Sequence, residues 1–127
     1  MTKARIAIMV MLGVVVVAIG AAYLYNANLH RVHEENLAKA ERFNQEFSQY
    51  LSLGAPWSAV DEYLRSHSVL DVLPQSRGDK TEYWITLTRE RSVVFGCGEG
   101  SVGLVMLFGS DRRLEGVRVS SWSMDCL

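Results

Sequence analysis

Between Ile6 and Tyr25 the chain has no charged residue and no Asn, Gln, Ser or Thr. The stretch reads IAIMVMLGVVVVAIGAAYLY. Lacking a polar face, it does not suit an ordinary surface helix. Twenty residues at about 1.5 Å each give roughly 30 Å, the thickness of a bilayer's hydrocarbon core. The β-branched run Val14 to Val17 disfavours a helix in water. In lipid, a helix is how a single segment satisfies its own backbone. Tyr23 and Tyr25 lie where an interfacial aromatic belt belongs.

Other absences narrow the field. There are only two cysteines, too few to build a thiolate metal cluster. Neither lies near the end of the apolar stretch, which excludes a bacterial lipid anchor. No internal repeat, low-complexity tract or sustained heptad is present, so a long coiled coil is not expected. No G-x-S-x-G elbow occurs. The acid pairs Glu34–Glu35 and Asp61–Glu62 are sequence neighbours, which do not face each other on a helix.

A retained anchor and a cleaved signal peptide compete for residues 6–25. Small residues such as Ala18 and Gly20, or Gly20 and Ala22, could precede a cut. The run exceeds the usual h-region, and a helical pattern continues through it, so an anchor is expected. Lys3 and Arg5 precede it with no acid, and all 14 acidic residues follow it. That places the N-terminus, residues 1–5, in the cytoplasm and the remainder outside. The expected location is a bacterial inner membrane, crossed once, with the C-terminal domain in the periplasm. After Tyr25, 11 basic side chains stand against 14 acidic ones, net −3, a poor balance for binding nucleic acid.

Leu37, Ala40, Phe43, Phe47, Tyr50 and Leu51 recur at spacings of three and four, which predicts a helix over 26–53. Its polar first part, 26–36, reads as a membrane-proximal stalk, and residues 37–127 as the outer domain. Gly54-Ala55-Pro56 ends the helix. A second, short helix follows, with Ser58 as N-cap and Asp61 closing a capping box. It ends near Ser66 to Ser68.

Strands are expected at Tyr83–Thr88, Ser92–Phe95, Val102–Phe108 and Leu114–Ser121, with a turn at 109–113. Val69–Leu73 is a possible edge strand stopped by Pro74, and 75–80 reads as a polar loop. The fold class is therefore α+β: a transmembrane helix continuing into the stalk, and a second helix packed with it on an antiparallel sheet of three to five strands.

Placing the last turn at Asp111-Arg112 makes Ser110 oppose Arg113, Met106 oppose Val117 and Leu104 oppose Val119. In that register Cys97 opposes Cys126, near enough for a disulfide in an oxidising compartment. A bulge at Gly98 to Gly100 would shift it.

Chemistry-bearing patterns are sparse. Gly98-Glu-Gly100-Ser-Val-Gly103 matches G-x-G-x-x-G but precedes a strand rather than a helix, so it is not a dinucleotide site. His30 and His33 share a helix face without a third ligand and read as a solvated stalk. His67 is expected at a helix end or partly buried. No metal, cofactor or catalytic residue is expected. Trp57, Tyr63, Trp84 and Trp122 are the candidate partner contacts, because large aromatics dominate interface energetics.

The segment Leu53-Gly-Ala-Pro-Trp-Ser-Ala-Val-Asp-Glu-Tyr-Leu64, with Phe108, the turn, Leu114 and Val117, resembles the SmpA/OmlA-like group of outer-membrane assembly proteins and the related β-lactamase-inhibitor-protein fold. The resemblance implies two helices on an antiparallel sheet, binding to other proteins, and no catalytic residue. The chain departs from that group in having an apolar segment instead of a lipidated Cys. The leading expectation is a non-enzymatic envelope protein that binds another envelope or membrane protein, as an accessory subunit of a membrane complex. An extracytoplasmic inhibitor or immunity protein, and an enzyme whose site is not visible as a motif, are the alternatives.

Overall fold

A computed structural model describes residues 2–127. Helix α1 spans Lys3–Tyr50 without interruption. Its 48 residues extend roughly 70 Å. The Thr2 hydroxyl accepts the Arg5 N–H at 3.4 Å and starts the helix. The N-terminal part is long and apolar enough to cross a membrane, and none of that stretch is buried against the rest of the chain. Helix α2 spans Trp57–Ser66. Strands β1 (Val72–Arg77), β2 (Lys80–Arg91), β3 (Cys97–Phe108) and β4 (Leu114–Cys126) form one sheet in the order β1-β2-β3-β4, every pair antiparallel. The fold is α+β.

Both helices lie on one face of the sheet. Phe47 of α1 and Val60, Tyr63 and Leu64 of α2 bury against Ile85, Leu104, Met106, Phe108 and Leu114. This follows from periodicity: positions three to four apart on the helices and two apart on the strands form one apolar layer. The link between the helices docks on the β3–β4 turn. Gly54 N–H donates to the Leu114 carbonyl (2.7 Å), and Leu114 N–H to that of Ala55 (2.9 Å).

Several expectations change. Ser92–Phe95 is not a strand but the connection between β2 and β3. Strand β1 runs through Pro74 rather than ending before it, and takes in much of the expected loop. Proline is tolerated there because β1 is an edge strand. Ser58 is not the N-cap: the helix begins at Trp57 after Pro56, with no side-chain cap. Asp61 instead pairs with Arg65 one turn on, at 3.2 Å.

Two irregularities set which side chains face the helices. In β2 the register shifts between Thr86 and Thr88. Leu87 is the extra residue, so the alternation reverses after it. Ile85 faces the helices before the bulge, and Glu90 faces them after it. Opposite sits Gly103, where an added Cβ would come within 1.8 Å of the Ile85 carbonyl oxygen. Only glycine leaves room for that backbone. The second shift, between Leu107 and Phe108, makes Glu115 the extra residue. It brings Leu114 opposite Phe108 and both into the core. The expected Ser110–Arg113 opposition is therefore replaced by a Gly109–Arg113 closure, in which Gly109 N–H donates to the Arg113 carbonyl at 3.0 Å. Beyond the turn the expected register holds: Met106 opposes Val117, Leu104 opposes Val119 and Cys97 opposes Cys126, with no shift at Gly98 to Gly100.

Candidate functional site

Two features stand apart from the core. The first lies between α1 and the end of β2. His33 Nδ1 donates to Glu90 Oε1, and Asn36 Nδ2 donates to Glu90 Oε2 at 2.7 Å. A carboxylate only accepts, so the two donors satisfy both of its oxygens. The Glu90 side chain is 5% exposed and that of His33 17%. His33 is thus not part of a solvated stalk, and Asn36 is buried. Contact between helix and sheet starts within residues 26–36, because the Leu87 bulge turns an acceptor toward them.

A cavity of about 370 Å³ adjoins this cluster, lined by His33, Glu90, Ser92, Trp122, Ser123 and the cysteines, among others. Cys97 and Cys126 are joined in a disulfide at its rim. The Ser92 and Ser123 hydroxyls bond each other at 2.7 Å, and Val94 N–H donates to Ser92 at 3.1 Å. Neither hydroxyl is hydrogen-bonded to His33, so the bond by which an imidazole activates a serine is missing. The bonds that His33, Asn36 and Glu90 do make hold the helix to the sheet. Among the described residues no three His, Cys, Asp or Glu side chains come together as metal ligands.

The second feature is the sheet face turned away from the helices. Alternation puts Glu82, Trp84, Val105, Leu107, Arg118 and Trp122 there. Among the described residues no element covers this face. Trp84 and Trp122 come from β2 and β4, on either side of β3, and their rings meet at 5.1 Å between centroids, inclined by 60°. Both are half-buried. The Trp84 indole N–H donates to Glu82 Oε1 at 2.7 Å, and Arg77 approaches the same oxygen at 3.5 Å. The indole is thereby oriented and its one polar atom satisfied, leaving ring surface outward. Val105, Leu107, Glu82 and Arg118 line a depression of about 250 Å³ on the same face.

The four aromatic candidates separate. Tyr63 is 8% exposed and stacks on His67 at the end of α2, with centroids 4.1 Å apart. It belongs to the core, which corrects its reading as a contact: it lies on the apolar stripe of α2. Burial and the Glu46 carboxylate raise its hydroxyl above the ordinary tyrosine pKa. Trp57 stacks flat on Tyr83 at 3.9 Å and meets Phe108 edge-on, at the rim of the core. Trp84 and Trp122 alone form a pair on an uncovered face. Spacing did not reveal their meeting, since it depends on sheet twist and on Gly103 between them. Glu90, His33 and Asn36 were missed as a group, and their signal was the glycine opposite the bulge. The chain matches no known protein family, no curated protein and no solved structure.

Proposed function

We propose that the chain is a single-pass membrane protein of the bacterial inner membrane, and that its outer, periplasmic domain binds a neighbouring membrane or envelope protein through the Trp84–Trp122 face of the sheet. The observation that carries this reading is the aromatic pair on a face that no helix covers. Half-buried tryptophans, with the Trp84 indole N–H already paired with Glu82, offer large, rigid apolar area at little entropic cost. Residues 6–25 supply the anchor: an uncharged helix of spanning length whose surface is wholly unburied. Anchoring restricts the domain to membrane neighbours and raises its effective concentration for them. A modest interface then suffices, as an accessory subunit of a membrane complex requires. The disulfide suits an oxidising compartment.

The test is affinity purification of the full chain from its membranes in mild detergent, beside a variant carrying Trp84→Ala and Trp122→Ala. The reading expects specific co-purifying protein to fall at least about tenfold, a loss of roughly 1.4 kcal/mol, while the variant keeps its secondary structure and cooperative melting. Undiminished recovery by a folded variant would remove the Trp84–Trp122 face from the account.

A further inference from the structure

The connection between β2 and β3 is an unusual piece of surface. With the first two residues of β3 it reads SVVFGCG from Ser92 to Gly98, seven residues without a charge. Phe95 is 103% exposed, Val94 is 53% exposed, and the adjacent Leu127 is 112% exposed. Single exposed apolar residues are common, but a fully exposed aromatic grouped with two aliphatics is a patch that seeks cover.

The loop is also firmly built. Cys97 N–H donates to the Val94 carbonyl at 3.2 Å, and Gly96 has φ +86°. Phe95 is therefore the leading corner of a tight turn that needs glycine at its second corner. Val94 N–H is held by the Ser92 hydroxyl. Leu127 N–H donates to the Gly96 carbonyl at 2.8 Å. The Cys97–Cys126 disulfide closes the base. A turn braced in this way presents Phe95 outward as a fixed feature.

Its height along α1 identifies what it meets. Strand β2 runs antiparallel to α1: its start pairs with Phe108, in the core with Phe47, and its end reaches His33 and Asn36 through Glu90. The next residue, Arg91, lies over the Tyr25 ring, with its guanidinium carbon 5.9 Å from the centroid. Tyr25 is the last residue of the apolar stretch. Past Arg91 the hairpin runs only as far as the Val94–Cys97 turn, with Ser92 N–H still meeting the Gly98 carbonyl at 3.4 Å, which brings Phe95 close to the level of Tyr25. A helix continuous from Lys3 to Tyr50, clamped at Glu90, keeps that height constant.

We infer that the Val94–Phe95–Gly96 turn is a second membrane contact, inserted into the headgroup–acyl boundary of the bilayer that α1 crosses. The inference rests on the anchor reading above. An aromatic ring and a valine suit that depth. Arg91, exposed beside Tyr25, is placed to meet lipid phosphate. Because α1 already holds the domain at the surface, the turn needs no membrane affinity of its own to stay engaged. Its consequence is orientation: two contacts fix the rotation of the domain about α1, and so the direction in which Trp84 and Trp122 face.

The test uses the full chain in lipid nanodiscs of phosphatidylcholine and phosphatidylglycerol, with 4-fluorophenylalanine replacing its four phenylalanines. The other three, Phe43, Phe47 and Phe108, pack in or against the core, and Phe95→Leu assigns the remaining fluorine line. The inference expects that line to be lost when the lipid carries a spin label near the top of its acyl chains, and to persist with a water-soluble gadolinium chelate. A Phe95 line that survives the lipid label overturns it, whether water or protein surrounds the ring. A carbonate wash of the same chain in vesicles separates the two readings. Release from the vesicles overturns the anchor and the inference together, and retention with an unquenched Phe95 overturns only the inference.

Discussion

At the scale of the residue, Glu90 does more than any other polar group to join helix to sheet. Both its oxygens accept from α1, and it is nearly excluded from water. Replacing it with Ala strands the His33 and Asn36 donors in a site built for a carboxylate. Leaving such groups unpaired costs about 1–3 kcal/mol. Urea unfolding of the full chain in detergent is expected to show that loss for Glu90→Ala. Adding His33→Ala to it should cost little more, because the pair is already broken. Two independent, additive losses would contradict the geometry. This cluster was not legible in the sequence. His33 stands among polar residues, and the alternation of Tyr83 to Thr88 gives no hint that Leu87 bulges. Residue-level patterns do report which side chains are apolar. They do not separate a core aromatic from a surface one, so Tyr63, a candidate contact by residue type, lies in the core.

At the scale of the element, the β3–β4 hairpin was the most legible part of the fold. Opposed apolar pairs repeat from Met106–Val117 to Leu104–Val119, and a register so constrained carries unchanged to Cys97–Cys126. Only its turn differed, because Leu114 had to reach the core and Glu115 absorbed the shift. The resulting disulfide spans a sequence separation of 29. In the chain-entropy view, closing such a loop contributes about 3–4 kcal/mol. Cys97→Ser is therefore expected to lower the melting temperature of the full chain clearly, and Cys97→Ser with Cys126→Ser to lower it by nearly the same amount. Equal melting of the parent and both variants would show that the bridge adds nothing to stability. Strand β1 was harder to read, since Pro74 argues against a strand except at an edge, and an edge is a property of the sheet and not of the segment. Ser92–Phe95 failed for the opposite reason. Its β-branched and aromatic residues look like a strand, yet they form an exposed turn.

At the scale of the whole molecule, one helix performs two tasks. Its residues 6–25 are uncharged and unburied, and its second half packs on the sheet. No flexible hinge separates them within Lys3–Tyr50. With residues 6–25 across a membrane, as proposed, the unbroken helix would display the sheet face turned away from the helices at a fixed height above it. That arrangement suits recognition of a membrane neighbour, and it depends on the anchor being retained and the domain lying outside. The most direct measurement is protease treatment of intact spheroplasts carrying the full chain with a tag at each end, combined with alkaline carbonate extraction of their membranes. The account predicts that the chain stays in the membrane pellet, that added protease digests the domain, and that a short fragment bearing the N-terminal tag is protected. Full protection of the domain until lysis would contradict the orientation. Release of a soluble domain beginning near Ala21 or Tyr23 would contradict the anchor.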